Sequence, residues 1–254
     1  MKNMKYIGIF SLLLFSFFYV HQIANLSISN NNLYRKIEKI SQEEVVKYVN
    51  AEINGNKIIP GLSGKSIDVK RSYYKMFPSG TYDKHKLIYD VIKPNISIEN
   101  NKDKIIVKGN SFKNQISIIV DNDMIYNYMN NNQIKGDVLV THNTIKKDSF
   151  LEQINNDIDQ YNKTESILRK YQLDNELCIV NSLIEESCRA HKKYLIQSSE
   201  ELDNRNIVKL KRNVVSGSIY YVKPEASLDD FLILLKEIRF KNIDIVYLSE
   251  LIKE

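Results

Sequence analysis

Residues 116–123 read ISIIVDND, an apolar, β-branched run that stops on two acids separated by an asparagine. A run without polar alternation suits a strand buried on both faces, as in a parallel sheet covered by helices. Similar runs recur at a steady rhythm after Lys113: DVLVT (137–141), ELCIV (176–180), YLIQ (194–197), IVKL (207–210), SIYYV (218–222) and IDIVYL (243–248). Helical patterns separate them. The segment SFLEQINNDIDQYNKTESILRKY reads as one helix, with Phe150, Leu151, Ile154, Ile158 and Tyr161 on one face and a capping box Ser149-x-x-Glu152. SLDDFLILLKEIRF reads as another, opened by Ser227-x-x-Asp230, with Leu228, Phe231, Leu232, Leu235 and Ile238 inward. The pattern predicts an α/β fold, either a compact irregular (β/α) barrel or an open doubly wound sheet.

In parallel β/α folds the chemistry gathers at the carboxyl ends of the strands. Asp121, Asn122 and Asp123 fall just past the first strand. The same edge is predicted to carry Thr141, His142, Asn143, Asn181, Gln197, Ser198, Lys211, Lys223 and Ser249. A structural role competes at each: an acid after a strand is also a favoured helix N-cap, and a lone loop histidine is also simply a solvated one.

The chain has 254 residues, 43% of them hydrophobic, which is enough for one sizeable core with a small appended domain. Its net charge of +5 is spread along the chain rather than clustered. That excludes a nucleic-acid footprint and suits an anionic cell envelope. The two cysteines, Cys178 and Cys188, have no metal-binding spacing and read as buried free thiols rather than a disulfide.

Lys2 and Lys5 precede the charge-free apolar stretch Tyr6–Val20. It falls short of the roughly 20 residues that span a bilayer, though Ile23 and Ala24 extend it. It is expected to be an uncleaved signal anchor over 1–24 with the rest outside the cell, a cleaved signal peptide being the alternative. A polar stalk over 25–45, a small α+β domain over 46–110 and the main domain over 111–254 follow. Within the small domain SIDVKRSYYKMF reads as a short helix, KLIYDVIKP as a strand, and NISIENNKDKIIVKGN as a hairpin.

The segment KGNSFKNQISIIVDND, and the ending SGSIYYVKPEASLDDFLILLKEIRFKNIDIVYLSELI, resemble the polysaccharide deacetylase (NodB-homology) family of carbohydrate esterases. INGNKIIPGLSGKSIDVKRSYYKM and KPNISI resemble the extra domain that precedes the barrel in some membrane-anchored Gram-positive members. The resemblance covers roughly residues 46–254. It implies a hydrolase of sugar acetyl groups, in which a divalent metal such as zinc and a carboxylate base activate water while a histidine protonates the leaving group.

Position by position the resemblance assigns Asp121 to the base. Asn122 stands where the family places a metal-binding aspartate, and Asp123 where it places a glycine. The family's His-x-x-x-His pair is missing, since the histidines fall at 21, 85, 142 and 191. CIVNSL replaces the Arg-Pro-Pro-Tyr-Gly segment, and Lys223 stands at the acid-histidine position. Asp123 and His142 remain as candidate metal ligands. A neutral amide and an alkyl ammonium are poor substitutes for a carboxylate ligand and a proton donor.

These departures predict a catalytically inactive envelope protein that needs no cofactor and binds or scaffolds at cell-wall polysaccharide or peptidoglycan. Two alternatives stay open: an active deacetylase with an altered metal site, and a membrane-tethered protein-interaction domain. With no Trp in the chain, Tyr126, Tyr128 and Tyr220 are the rings expected to meet a sugar, while Tyr73 and Tyr74 read as packing.

Overall fold

The ISIIV run behaves as its composition requires. Gln115–Val120 is a strand whose residues 116–120 are all fully buried. This computed structural model describes residues 15–20, 22, 27–180 and 183–254. In chain order it begins with α1 (Asn32–Glu43), β1 (Glu52–Asn54), β2 (Lys57–Ile59), β3 (Gly64–Ile67), α2 (Val69–Met76), β4 (Tyr89–Ile92) and β5 (Ile105–Ile106). Next come β6 (Gln115–Val120), α3 (Asp123–Asn131), β7 (Asp137–Val140), β8 (Glu152–Asn155), α4 (Tyr161–Lys170), β9 (Leu177–Ile179) and α5 (Glu185–Ala190). The chain closes with β10 (Tyr194–Ile196), β11 (Glu200–Leu202), α6 (Ile207–Arg212), β12 (Ile219–Val222), α7 (Leu228–Phe240), β13 (Asp244–Ile245) and α8 (Leu248–Ile252).

Two units emerge, each with its own core. The smaller comprises residues up to 48 together with 63–92. Here α1 packs on α2 around Leu33, Ile37, Ile67, Tyr73, Met76 and Leu87, and β3 pairs antiparallel with β4. Asp68 caps α2 by accepting from the Arg71 N–H at 2.8 Å. The helix expected in SIDVKRSYYKMF and the strand expected in KLIYDVIKP are thus present. The polar segment expected as a stalk instead carries α1, whose Leu33 and Ile37 are buried, and the boundary expected at residue 46 is replaced by an interleaved one.

The larger unit comprises 49–62 and 93–254. Its strands form two largely parallel sheets: the α/β class expected is present, while the compact irregular barrel is not seen as one continuous sheet among the described residues. One runs β11-β12-β6-β7-β8, all parallel, with β13 also parallel to β6. The other runs β1-β2-β5-β10-β9, parallel except for the β1–β2 hairpin. Alternation along β6 assigns its faces. Ile116, Ile118 and Val120 pack with Ile125 and Met129 of α3 and with Phe231, Leu234 and Ile238 of α7. Ile119, with Ile154 and Ile219, packs with Ile58, Ile106, Leu177 and Ile196 of the second sheet. Ser227 caps α7 by accepting from the Asp230 N–H, as its capping box predicts.

Other expectations fail for identifiable reasons. The long helix read over 149–171 divides: Glu152–Asn155 is β8, and helix begins only at Tyr161. Polar residues expected on a solvent face are buried instead. Gln153 accepts from the Lys146 N–H and donates to the Lys146 carbonyl, and Asn155 donates to Glu165 and to the Tyr161 carbonyl. Ser149 therefore caps no helix; its Oγ accepts from the Leu151 N–H. IVKL lies in α6, with Leu210 alone of its four residues buried, because four residues cannot separate a helical from a strand period. The hairpin expected near residue 100 is absent, since β5 pairs parallel with β2 and β10. IDIVYL supplies a strand only at Asp244–Ile245 before α8 begins.

Cys178 and Cys188 are joined in a disulfide, with Cα atoms 6.1 Å apart. Sequence spacing suggested free thiols, but β9 and α5 bring both sulfurs into one buried cluster with Ile184 and Leu195. Most of the expected anchor lies outside the described residues, as does Asn181. No helix among the described residues is long and apolar enough to cross a membrane.

One buried acid sits in the larger sheet. Asp137 is fully buried at the start of β7, in register with Glu152 of β8. One of its oxygens, Oδ2, accepts from the Ser117 hydroxyl and the Leu248 N–H, both at 2.9 Å; Oδ1 has no partner among the described residues. Burial and the nearby Glu152 push its carboxyl well above the usual range.

Two predictions follow from these features. Thiol titration of the unfolded, unreduced chain will find no reactive thiol, and Cys178→Ser/Cys188→Ser will lose roughly 2–3 kcal/mol of stability in urea unfolding. Because the folded pKa of Asp137 lies above the unfolded one, its favourable linkage is complete below about pH 4 and declines as pH rises towards the folded value. Asp137→Asn will therefore gain stability relative to the wild type as pH is raised from 4.5 to 8, measured as urea midpoints.

Candidate functional site

β6 and β7 end beside each other, and the chain leaving β6 turns directly into α3. A cleft of about 170 Å³ opens there, lined by Asp121, Asn122, Asp123, Tyr126, Thr141, Thr144, Lys146 and Asn156 together with the last residues of both strands. The acids that ended the first strand are therefore at a concave site, as their position in a parallel sheet predicts.

Asp121 is half-buried at the base of this cleft. Burial pushes its carboxyl above the usual range, while a hydrogen bond donated by the Tyr221 hydroxyl to Oδ2, at 2.8 Å, acts against the rise. Tyr221 is on β12, in register with Ile119, so adjacent parallel strands place the two groups together. The tyrosine's own pKa is pushed up by burial and by this carboxylate.

Asn122 has a different task from the one a metal ligand would have. Its Oδ1 accepts from the Ile125 N–H at 3.0 Å and caps α3. Its Nδ2 donates to the carbonyls of Pro224 (2.7 Å) and Ala226 (3.2 Å), tying the end of β6 to the loop after β12. Aspartate caps a helix as well as asparagine does, but only the amide can donate.

Asp123 is the first residue of α3, with a largely exposed side chain 3.2 Å from Lys146 Nζ. Lys146 Nζ also lies 4.1 Å from the centre of the Tyr126 ring. His142 is not among the residues lining the cleft. Its Nδ1 lies 2.6 Å from Asp157 Oδ2, and that oxygen also accepts from the His142 N–H and the Thr164 hydroxyl. Burial opposes ionisation of Asp157, but these donors and the Gln160 N–H overcome it and hold the carboxyl far below its usual range. The pair fastens the loop after β7 to the turn after β8.

Among the described residues, no three His, Cys, Asp or Glu side chains converge as a metal would require. With one Asp121 oxygen accepting from Tyr221, an amide rather than a carboxylate at Asn122 and His142 turned to Asp157, the donor set at the cleft does not fit a divalent-metal centre. Lys223 is held by Glu201 at 2.7 Å, and that hydrogen bond raises its pKa further from a proton donor's range.

The structure brings together Asp121, Asn122, Asp123 and Thr141, and places other expected rim residues elsewhere. Lys211 is in α6. Ser249 donates to Glu152 at the first residue of β8. Tyr220 is fully buried in the core, and Tyr126 is nearly so although it lines the cleft. Sequence reading missed Tyr221 and Asp157. Strand alternation could have found the first, since Tyr220 and Tyr221 must face opposite sides.

Compared with solved structures, the chain superposes on the BA3943 protein of Bacillus anthracis, described as a CE4 family pseudoenzyme. The TM-score is 0.60 at 15% identity, covering 89% of this chain and 96% of that one. It is the polysaccharide-deacetylase fold of the CE4 family. A BA3943 mutant described as having restored enzymatic activity superposes with a TM-score of 0.56 at 15% identity, covering 88% of this chain and 98% of that one. At such identities the likeness is one of fold. No protein-family model matches. The uncharacterized protein YlxY of Bacillus subtilis is 30% identical over 97 residues, which are 38% of this chain and 30% of YlxY. The match therefore spans less than a third of that relative's length.

Asn122→Asp keeps the cap on α3 but removes two donated hydrogen bonds and sets a carboxylate against two carbonyl oxygens. It will cost about 1–3 kcal/mol in urea unfolding, and zinc titration of the variant by calorimetry will show no stoichiometric site.

Proposed function

We propose that this chain is a divergent, non-hydrolytic member of the polysaccharide-deacetylase family that binds or scaffolds at cell-wall glycan from the outer face of the membrane. The observation that carries this reading is the engagement of Asn122. The side chain at the family's metal position has its oxygen on the α3 cap and its N–H donors on the Pro224 and Ala226 carbonyls, so it is held by the backbone and brings no carboxylate to an ion. Likeness in fold to a CE4 family pseudoenzyme supports the same reading.

The cleft keeps features that suit sugar hydroxyls: the Asp121 carboxylate, the Thr141 and Thr144 hydroxyls, the Asn156 amide and the Tyr126 ring. Its modest size suits a single sugar unit or the end of a chain. The Cys178–Cys188 disulfide supports an oxidising, extracytoplasmic setting, and the apolar, lysine-preceded stretch Tyr6–Val20 supports a tether at the membrane.

Purified full-length protein will release no acetate from acetylated chitooligosaccharide with or without added zinc, and will sediment with peptidoglycan. Asp121→Ala will weaken that sedimentation roughly 10–150-fold, the range for one lost hydrogen bond to a charged group at about 1.5–3 kcal/mol. Stoichiometric zinc together with turnover abolished by Asp121→Asn would overturn the proposal.

A further inference from the structure

Away from the cleft, α6 and α7 run side by side and enclose a shallow hollow of about 480 Å³, lined by Ile207, Val208, Lys211, Arg212, Ile233 and Lys241, with Glu237 as its acid. Apolar groups here are unusually open to water. Val208 is 65% exposed, and Phe240, which shares the stripe of Ile233 and Glu237 on α7, is 85% exposed. Basic side chains surround them. Lys211, Arg212, Lys236 and Arg239 are exposed and have no ion-pair partner among the described residues. Lys241 reaches the Val214 carbonyl at 2.8 Å and lies 4.0 Å from Glu237, whose charge it offsets.

We infer that this face of α6 and α7 docks on an anionic phospholipid surface. Charge complementarity identifies the occupant. Long cationic stems around protruding apolar side chains place ammonium and guanidinium groups at phosphate level while Val208 and Phe240 enter the acyl boundary. A helix from a protein partner needs a longer apolar floor than Val208 and Ile233 provide, and a soluble polyanion gives Phe240 no apolar contact. The inference extends the proposed membrane tether, since a tethered domain meets the bilayer at high effective concentration. Docking fixes which side of the fold faces outward.

The test uses the full-length chain. Both native cysteines are in the disulfide, so Phe240→Cys offers a free thiol for an environment-sensitive fluorophore. Labelled protein is reconstituted into phosphatidylcholine vesicles with or without phosphatidylglycerol. The expected result is a blue shift and loss of aqueous quenching in the anionic vesicles alone, both abolished by adding Lys211→Glu and Arg212→Glu. Water-like emission in both lipids, or an equal shift in both, would overturn the inference. Flotation of the wild type with neutral vesicles reads the tether separately. A chain that fails to float there yet shows the charge-dependent shift removes the tether and supports the docking face.

Discussion

Parallel pairing of β6 with β7 on one side and β12 on the other is the constraint from which the rest of the larger unit follows. A strand buried on both faces and hydrogen-bonded along both edges cannot slip by one residue, because every side chain would exchange faces. With that register held, Asp121 must emerge beside Tyr221, and Asn122 must meet the loop leaving β12. Ser117, on the same strand, meets the buried Asp137. The acidic edge is thus positioned by hydrophobic burial, and its polar contacts complete an arrangement that the apolar strand has already dictated.

Much of this was legible in the sequence. ISIIV and SIYYV are strands because runs rich in β-branched and aromatic residues pack well in a sheet covered on both faces, and the Ser227 box opens α7 where it should. The family resemblance also led to the right fold. Legibility failed where polar residues were buried. Gln153 and Asn155 made a strand look like the polar face of a helix, since nothing in the chain announces that Lys146, Tyr161 and Glu165 will satisfy them. Short segments failed as well: IVKL is too brief for its period to show, and a separation of ten residues does not by itself say that Cys178 and Cys188 will meet.

At the candidate site, sequence reading put Asp121 at the carboxyl end of the first strand, where the cleft opens, and did not foresee how its neighbours are engaged. Asn122 looked like a ligand that had lost its charge; the structure gives it a cap and a tether. His142 looked like a residue near the cleft, yet it belongs to a buried polar junction with Asp157 and Thr164. Adjacent to that junction, Asn155 and Lys193 both reach Glu165, and the Lys193–Glu165 pair is almost wholly buried at 2.7 Å. Such a pair is costly to desolvate and costlier to break, so it gives the α4 side of the fold specificity of arrangement.

The two-sided use of the Asn122 amide also makes position 122 selective between two nearly isosteric side chains. An aspartate would keep the cap on α3 but set a charged oxygen against the Pro224 and Ala226 carbonyls, so the loop after β12 has the shape of a mould that admits an amide and rejects a carboxylate.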